Sequence, residues 1–312
     1  MSDELTIVMY HYVRDLERTR YPGIKGLRTA DFRAQLNYLR RTHQPVTVTE
    51  IVHCRRTGDK LPPKAVLLTF DDGYTDHYAT CFPILFDAGI SGAFFPPAAP
   101  VKRGELLDVN RVHFILAVAD PETVGREIDA AVRAHRSGHG LATPEEYREK
   151  WAKPNRFDTG EVIYIKRMLQ VALPPALRGA IARDLFARHV SIDEAAFAGE
   201  LYCTVEQLRV MQKSGMYVGS HGDSHCWLNS IDETAQRREI ESSLDFLREI
   251  GSPVNDFWVM CYPYGGWDES LLRVLRERKC TLGLTTTVGT AKIDGQDPLL
   301  LPRYDTNDIP LG

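Results

Sequence analysis

The chain has 312 residues, of which 43% are hydrophobic and 26% are charged, and its formal net charge is −4. This composition is typical of a globular protein and excludes a disordered chain, a collagen-like repeat and a coiled coil. The length is roughly twice the average of one domain, but single α/β barrels reach this size. The weakly acidic balance gives no overall reason to bind nucleic acid or an anionic membrane, so we expect neither partner.

No targeting or membrane-spanning segment is evident in the sequence. The first four residues, Met1–Glu4, are acidic and lead into a short apolar run, whereas a secretory signal has a basic start and a longer apolar run. No stretch approaches the roughly 20 apolar residues of a membrane span. The six cysteines form no C-x-x-C pair, a pattern typical of reduced thiols. We therefore expect a cytoplasmic protein.

Strand and helix patterns alternate along most of the chain. Short apolar runs predict strands at 5–9, 65–70, 90–95, 216–219, 257–260 and 281–284. Helical periodicity covers 30–41, the residues after Tyr74, about 233–250 and about 270–279. Strands that alternate with helices at this spacing indicate a parallel α/β sheet or barrel.

The middle of the chain, about 101–200, shows helical patterns only. Because strands resume after it, and because no linker or internal repeat interrupts the chain, this part is interpreted as an insertion. The sequence therefore predicts a single domain over 1–312 with a helical insertion or cap at about 101–200.

Two neighbouring carboxylates, Asp71 and Asp72, follow the strand predicted at 65–70 and precede Gly73. In parallel α/β folds the chemistry takes place at the carboxyl ends of the strands. Adjacent residues of an extended segment point to opposite sides, so one aspartate could bind a metal while the other acts as a base. The alternative is an ordinary turn, in which Asp-Gly is common.

Two histidines, His221 and His225, follow the strand predicted at 216–219. Residues at i and i+4 lie about one helical turn apart, a spacing that allows two imidazoles to bind one cation. Two unrelated surface histidines would also explain the pattern. Together with an aspartate from another strand end, however, the pair supplies two histidines and one carboxylate and leaves positions open for water and substrate.

A third segment, 261–266, follows the strand predicted at 257–260 and reads Cys-Tyr-Pro-Tyr-Gly-Gly. One interpretation is a turn beneath packed aromatic rings. The other is a substrate wall next to the metal, with backbone N–H groups that face an oxyanion.

The three segments together resemble the polysaccharide deacetylase family, carbohydrate esterase family 4. The resemblance depends on Thr-Phe-Asp-Asp-Gly at 69–73, Ser-His-x-x-x-His at 220–225 and Tyr-Pro-Tyr-Gly at 262–265, in the family's order, and covers about 1–100 and 201–312. It implies a distorted (β/α)7 barrel. It also implies roles for named residues: Asp71 is the general base, and a divalent metal, usually zinc, binds to Asp72, His221 and His225.

The chain departs from the family pattern at two positions. Many members carry an arginine that contacts the base where this chain has Cys261, and Arg303 is our candidate for the replacement. Many members also end in Leu-x-His, whose histidine is the general acid, but no histidine follows His225 here. A branch that includes poly-N-acetylglucosamine deacetylases resembles a circular permutation of the family, and by this resemblance His11 is the acid. The alternative is that His11 only packs at a strand end.

The resemblance implies hydrolysis of the N-acetyl group of an acetamido sugar, with release of acetate and with a backbone N–H near Tyr264 in the oxyanion hole. The expected substrate is a surface glycan or its cytoplasmic precursor, and loose association with glycan-assembly enzymes is possible. The alternatives are a C–N hydrolase acting on a non-sugar amide and a non-catalytic sugar-binding module. Further candidates for substrate contacts, which caps, surface groups or rim packing would also explain, are Asn110, His113, Arg156, Trp227 and Trp267.

Overall fold

The computed structural model describes residues 3–311 of the chain. The strands in this range are β1 (Glu4–Tyr10), β2 (Val13–Arg14), β3 (Leu27–Arg28), β4 (Gln44–Pro45), β5 (Ala65–Asp71), β6 (Gly92–Phe95), β7 (Tyr217–Val218), β8 (Val259–Cys261), β9 (Leu282–Leu284), β10 (Ala291–Lys292) and β11 (Tyr304–Asp305). The α-helices are α1 (Thr29–Thr42), α2 (Val48–Thr57), α3 (Phe82–Asp87), α4 (Ala98–Arg103), α5 (Asp108–Val118), α6 (Pro121–His139), α7 (Pro144–Trp151), α8 (Gly160–Arg167), α9 (Pro175–His189), α10 (Glu194–Leu201), α11 (Val205–Lys213), α12 (Glu233–Ile250) and α13 (Glu269–Glu277). Two π-helical turns cover His77–Cys81 and Met168–Ala172.

The chain forms two compact units. The first contains the residues up to Asp15, Gly26–Glu105 and the residues from Gly199 onward, and the second contains Leu16–Lys25 and Leu106–Ala198. In the described part of the chain, no helix is both long and apolar enough to cross a membrane.

The first unit is built on parallel strands. β1 pairs with β5, β5 with β6 and β6 with β7, all in parallel. Ser220, just after β7, forms a parallel bridge to Met260 of β8, β8 pairs with β9, and Leu284 of β9 bridges to Leu301. β11, which follows Leu301, pairs in parallel with β1. Single bridges thus connect the main sheet to the β8–β9 pair and that pair to Leu301, and the predicted α/β architecture is confirmed.

β5 shows why these residues form a central strand. All seven of its residues are buried, as expected for a parallel strand that is covered on both faces. Successive side chains point to opposite faces. Accordingly, Val66, Leu68 and Phe70 pack in one hydrophobic cluster while Ala65 and Leu67 pack in another. By the same alternation, the side chain of Asp71 lies on the face of the second cluster, which also contains Cys261, a residue of β8.

The second unit consists mainly of helices and contains partly buried ion pairs. Arg111 of α5 binds both carboxylate oxygens of Glu194 at 2.8 and 2.7 Å. Arg148 of α7 donates to Asp129 and to Glu161, so that one guanidinium joins three helices. The prediction of one domain with a helical insertion at about 101–200 is not tested by these contacts and stays a prediction.

Most of the predicted elements lie where the sequence placed them. The strands at 5–9 and 65–70 and the helix at about 233–250 correspond to β1, β5 and α12, whereas β8 begins two residues later than predicted. α2 was missed, although it begins with a capping box between Thr47 and Glu50 that a sequence can indicate.

Candidate active site

The two aspartates diverge at the end of β5. Asp71 is the last residue of the strand, while Asp72 has a left-handed φ of 76° and is followed by Gly73 at φ 68°. A side chain at position 73 would clash, because a Cβ there would lie 2.6 Å from the Cβ of Pro96. This sharp turn separates the neighbouring carboxylates, so that they contact different groups.

Asp72 meets the two predicted histidines. Its Oδ1 atom lies 3.3 Å from Nε2 of His221 and 3.1 Å from Nε2 of His225. All three side chains are buried, and one donor atom from each lies within 4.8 Å of the others. The structure therefore brings together the three residues that the sequence selected as a metal site.

The expectation that His221 and His225 are related by a helical turn is wrong. They lie in an irregular loop in which Gly222 has φ 73° and His225 has φ 55°. The carboxylate of Glu239, from α12, shapes this loop by accepting the backbone N–H groups of Asp223 and Ser224, each at 2.9 Å. The imidazoles converge because a distant side chain folds the loop, and not because of helical periodicity.

The hydrogen bonds of the histidines fit a metal site. Nδ1 of His221 lies 2.7 Å from the carbonyl oxygen of Cys261, which can only accept, so Nδ1 carries the hydrogen. In the neutral ring Nε2 is then unprotonated, and its lone pair faces the Asp72 carboxylate. Two hydrogen-bond acceptors in contact repel each other unless a cation lies between them. Two imidazoles and one carboxylate are a donor set that binds divalent metals well.

The pKa shifts of Asp72, His221 and His225 also indicate a site for a cation. Burial opposes ionisation of Asp72, but the two histidines hold the pKa of its carboxyl well below the usual range. Burial likewise disfavours charge on His221, yet Cys261 and Asp72 raise its pKa well above 6.5, whereas burial lowers the pKa of His225. In the metal-free cluster one proton on His221 therefore stands where a cation would bind.

Asp71 is held by Arg303. Nη1 and Nη2 of the guanidinium donate to Oδ1 and Oδ2 of Asp71 at 2.9 and 2.8 Å, and both side chains are buried. Arg303 itself is fixed by donating from Nε to the carbonyl of Thr285 and from Nη1 to Thr69. Burial raises the pKa of Asp71, but Arg303 more than offsets this and lowers it to about 2. Asp71 is therefore ionised and rigidly oriented.

Cys261 lies beside this ion pair. Its side chain is fully buried, and its sulfur, a nitrogen of His221 and an oxygen of Asp71 form a second group within 4.8 Å. Because the charge of Asp71 is already neutralised by Arg303, this second group is a poor site for a metal. A small, neutral Cys261 leaves room for the guanidinium of Arg303, which arrives from the far end of the chain.

Tyr74 is a site residue that the sequence analysis missed. Its hydroxyl donates to Oδ2 of Asp72 at 2.7 Å, which leaves Oδ1 to face the histidines. Burial and the charge of Asp72 raise the pKa of Tyr74 well above its usual value, so the hydroxyl remains a donor. Its position directly after Asp-Asp-Gly was a visible signal, but no sequence rule gives the direction of its hydroxyl.

An aromatic stack lies against His225. The ring of Tyr264 is T-shaped to the imidazole of His225 at 4.7 Å and parallel to the indole of Trp227 at 4.7 Å. Tyr264 has φ 57°, so the segment turns sharply at this residue. Trp267, a little further along, is 36% exposed. Tyr264 and Trp227 thus border the candidate metal site, and the third segment supplies one of its walls.

His11 reaches the same end of the sheet. β1 and β5 are parallel neighbours with Tyr10 opposite Phe70, so His11 follows β1 at the level where Asp71 follows β5. The pKa values of Asp71 and Asp72 are affected most by burial and by the groups in direct contact with each carboxylate. The charge of His11 makes a smaller contribution that lowers both pKa values. The side chain is half-buried. The structure therefore places His11 near both aspartates.

The remaining candidates lie in the second unit. Asn110 and His113 belong to α5, where Asn110 is fully buried and His113 is half-buried. The guanidinium of Arg156 lies 5.0 Å from the ring of Phe157, on the surface. Their roles as substrate contacts stay predictions.

The comparisons with known proteins agree with this site. The sequence profile of the polysaccharide deacetylase family matches residues 58–142 and 186–283, which is more than half of the chain. The chain therefore belongs to the polysaccharide deacetylase family. The match includes Asp71, Asp72, His221 and His225, but neither His11 nor Arg303.

Individual relatives share parts of the sequence or the fold. A stretch of 61 residues is 48% identical to the poly-beta-1,6-N-acetyl-D-glucosamine N-deacetylase of Escherichia coli (strain K12) and covers 19% of this chain but only 9% of that protein. The solved structure of the Streptococcus pyogenes deacetylase PplD in complex with acetate is similar with a TM-score of 0.59 and 15% identity, covering 97% of this chain and 92% of that one. The de-N-acetylase from Aggregatibacter actinomycetemcomitans is similar with a TM-score of 0.56 and 17% identity, covering 97% and 95%. At these identities the structural likeness concerns the fold alone.

Proposed function

We propose that this protein is a metal-dependent hydrolase that removes the N-acetyl group from an acetamido sugar of a glycan and releases acetate. The observation that carries the proposal is the pairing of two differently held aspartates: Asp72 faces His221 and His225, while Asp71 beside it is kept ionised by Arg303. Because Asp71 is not needed as a metal ligand, its carboxylate is suited to act as a general base beside the metal site. Membership of the polysaccharide deacetylase family supports the same reaction.

The proposed roles follow from the contacts. Asp72, His221 and His225 would hold a divalent metal, for which we propose zinc, and such an ion would supply the Lewis acidity that lowers the pKa of a water and polarises a carbonyl oxygen. Asp71 accepts the proton of the attacking water, and Arg303 keeps the carboxylate ionised and in place. A backbone N–H near Tyr264 stabilises the oxyanion that forms on the acetyl carbonyl.

The departing amine needs a proton, because an amide nitrogen leaves poorly as an anion. In this proposal the imidazolium of His11 donates it, which yields the amino sugar and acetate. Support comes from the position of His11 at the end of β1, next to the strand that ends in Asp71.

We propose an N-acetylhexosamine unit as the substrate. The E. coli relative is, by its name, an N-deacetylase of poly-beta-1,6-N-acetyl-D-glucosamine, which supports an N-acetylglucosamine glycan. Trp227 and Trp267 are the proposed sugar contacts in the first unit, and the roles of Asn110, His113 and Arg156 in the second unit stay predictions. The cytoplasmic location, the preference for a precursor over a finished polymer and an association with glycan-assembly enzymes stay predictions.

The test is acetate release by zinc-reconstituted protein from N-acetylglucosamine, its nucleotide-linked form and short β-linked oligomers. Asp71→Asn should abolish release and keep stoichiometric metal, whereas His221→Ala should lose both metal and activity. The variant Asp297→Asn is the matched control and should behave as the wild type, because its side chain pairs with Arg276 and accepts the backbone N–H of Leu299 through an oxygen that asparagine retains. Near-normal activity of Asp71→Asn would disprove the proposed base. Full metal content without acetate release from any sugar would favour a non-sugar amide as substrate or a binding module.

A further inference from the structure

The segment that carries His11 is held by the segment that follows the two aspartates. We call residues 11–14 the acid segment and residues 74–77 the clamp segment. Both belong to the first unit. Each residue of the acid segment contacts a residue of the clamp segment, and the contacts are of four different kinds.

The outer end of the acid segment is tied by charge. Arg14 donates from Nε to the Asp76 carboxylate at 2.7 Å, and the backbone N–H of Val13 hydrogen-bonds to the same carboxylate. The side chains of Arg14 and Asp76 are only 16% and 15% exposed, so this pair is better shielded from solvent than a surface ion pair. Asp76 therefore fixes both the backbone and a side chain of the acid segment.

The inner end is tied by His77. Its Nε2 lies 2.9 Å from the carbonyl oxygen of His11, and since a carbonyl only accepts, Nε2 carries the hydrogen. Burial lowers the pKa of His77 to about 4, so the ring is neutral and makes this bond with its single N–H. Its Nδ1 is buried and has no hydrogen-bond partner among residues 3–311.

An unpaired buried nitrogen is costly, and a phenylalanine would fill the space beside Phe70 and Phe94 without one. A histidine at position 77 is therefore unfavourable for packing alone. The side chain of His77 makes its hydrogen bond to the backbone of His11, the proposed general acid. A role in positioning this acid would explain why a histidine is present at position 77.

The clamp segment also reaches the metal site. Tyr74, its first residue, stacks on Tyr12 with the ring centroids 4.0 Å apart and donates its hydroxyl to Asp72 at 2.7 Å. The turn that carries Asp72 is thus followed within five residues by the groups that hold His11. One short segment sets the distance between the proposed metal ligand and the proposed acid.

From these contacts we infer that residues 74–77 position the general acid, with His77 as the positioning residue that fixes the backbone of His11. This inference rests on the proposed function, because it assigns a purpose to the placement of His11. His77 takes no part in the chemistry itself. Its loss shifts the imidazole of His11 relative to the leaving nitrogen, and a misplacement of about 1 Å costs about a hundredfold in rate.

The test is a double-mutant cycle on acetate release from an N-acetylglucosamine oligomer by the zinc-loaded protein. His77→Phe removes the donor and keeps the ring, while His77→Gln retains an N–H donor. We expect His77→Phe to lower kcat about 10- to 100-fold with KM and metal content unchanged, and His77→Gln to recover most of that loss. In the His11→Ala background, His77→Phe should have no further effect, since the group that it positions is gone.

Each outcome separates this inference from the proposed function. If His77→Phe lowers kcat by the same factor with and without His11, His77 acts only on general stability and the inference is wrong. If His11→Ala alone retains full activity, the proposed acid is wrong and the inference falls with it, while the roles of Asp71 and the metal ligands are judged by their own variants.

Arg14→Met provides a second route if His77→Phe does not fold, because it releases the acid segment from its outer end. We expect a smaller fall in kcat that is again absent without His11. The matched control is Arg133→Met, which removes an exposed ion pair with Glu145 in the second unit and should leave kcat unchanged. An unchanged kcat in Arg14→Met, if His77→Phe is unfolded, overturns the inference.

Discussion

Arg303 binds both carboxylate oxygens of Asp71 although the two residues are 232 positions apart in the chain. The guanidinium makes a two-pronged contact with the carboxylate, and it approaches from the segment just before β11, which pairs with β1. The orientation of Asp71, the proposed base, thus depends on a residue near the C-terminal end of the chain.

Replacing Arg303 with methionine should inactivate the enzyme at neutral pH and destabilise the fold. Burial would then be opposed only by the charges of His221 and His11, and the pKa of Asp71 should rise above the present value of about 2. We expect kcat to fall by at least about a hundredfold and to recover partly as the pH rises and Asp71 ionises. The free energy of unfolding should fall by about 3–5 kcal/mol, as for other broken buried ion pairs. Acetate release from pH 5 to 10 and denaturant titration measure both effects.

The sign of the effect on stability follows from the depressed pKa. Because Asp71 has a lower pKa in the folded state than in the unfolded chain, its stabilisation is present above the unfolded pKa of about 4 and is lost as the pH falls toward about 2. Arg303→Met should therefore lose stability at pH 7 and much less of it near pH 2. Arg276→Met, which removes a half-exposed ion pair with Asp297, is the control. Equal stability losses in both variants would contradict the special role of Arg303.

Tyr74→Phe should weaken metal binding without unfolding the protein. The hydroxyl of Tyr74 orients Asp72 so that Oδ1 faces the histidines, and loss of such an orienting hydrogen bond lowers metal affinity about 10- to 100-fold. Competition with a fluorescent zinc chelator measures the affinity.

The control for Tyr74→Phe is Tyr10→Phe. Tyr10, on β1, is also fully buried, but its hydroxyl has no hydrogen-bond partner in the described part of the chain. Its removal should therefore leave zinc affinity unchanged and stability unchanged or higher. An unaltered affinity in Tyr74→Phe would show that Asp72 is oriented by the backbone turn alone.

The core of the site was predictable because of a property of parallel sheets. The carboxyl ends of the strands meet at one edge, so Asp71, Asp72 and His221 could be placed together from two local patterns. Arg303 could be suggested because a buried base without its usual cation needs another one. The placement of Asp71, Asp72 and His221 required only strand positions, whereas Arg303 also required the family resemblance, which shows that the usual arginine is absent at Cys261.

The rest of the site depends on tertiary contacts that leave no local pattern. The loop of His221 and His225 is shaped by Glu239, whose side chain is 15 or 16 positions away from the N–H groups that it accepts. The two-residue strands, such as β4 and β11, exist only because β5 and β1 offer free edges. The direction of the Tyr74 hydroxyl is set by packing against Tyr12, which the sequence does not reveal.

Glu239→Ala should disorder the metal-binding loop. One carboxylate accepts three hydrogen bonds there, from the backbone of Asp223 and Ser224 and from the Ser224 hydroxyl, the last at 2.6 Å. Removing a charged acceptor leaves these donors without their partner, so we expect a loss of roughly 2–3 kcal/mol in the free energy of unfolding and a weaker zinc affinity. Denaturant titration and zinc competition measure the two effects.

The matched control for Glu239→Ala is Glu233→Ala, on the same helix. Glu233 forms ion pairs with Arg237 and Arg273 on the surface, which contribute little to stability. It should therefore leave zinc affinity unchanged. If both glutamate variants bind zinc equally well, the loop is held by its other contacts and the role of Glu239 is wrong.

Metal should stabilise the fold in a pH-dependent manner. In the metal-free cluster the pKa of His221 is raised by Cys261 and Asp72 against the effect of burial, so a proton competes with the metal for this position. As the pH falls, the proton should win, and zinc affinity should fall with it. At a free zinc concentration of about 100 times Kd, the metal adds about 2.7 kcal/mol to the free energy of unfolding.

Thermal unfolding with and without zinc, at pH values from 5 to 8, measures this linkage. The rise in Tm caused by zinc should be largest at pH 8 and shrink toward pH 5, and a chelator should reverse it. His221→Ala removes both the ligand and the competing proton, so its Tm should respond little to zinc at any pH. A zinc-dependent rise in Tm of the same size in His221→Ala would place the metal elsewhere, because a cluster reduced to Asp72 and His225 lacks the third ligand that tight binding needs.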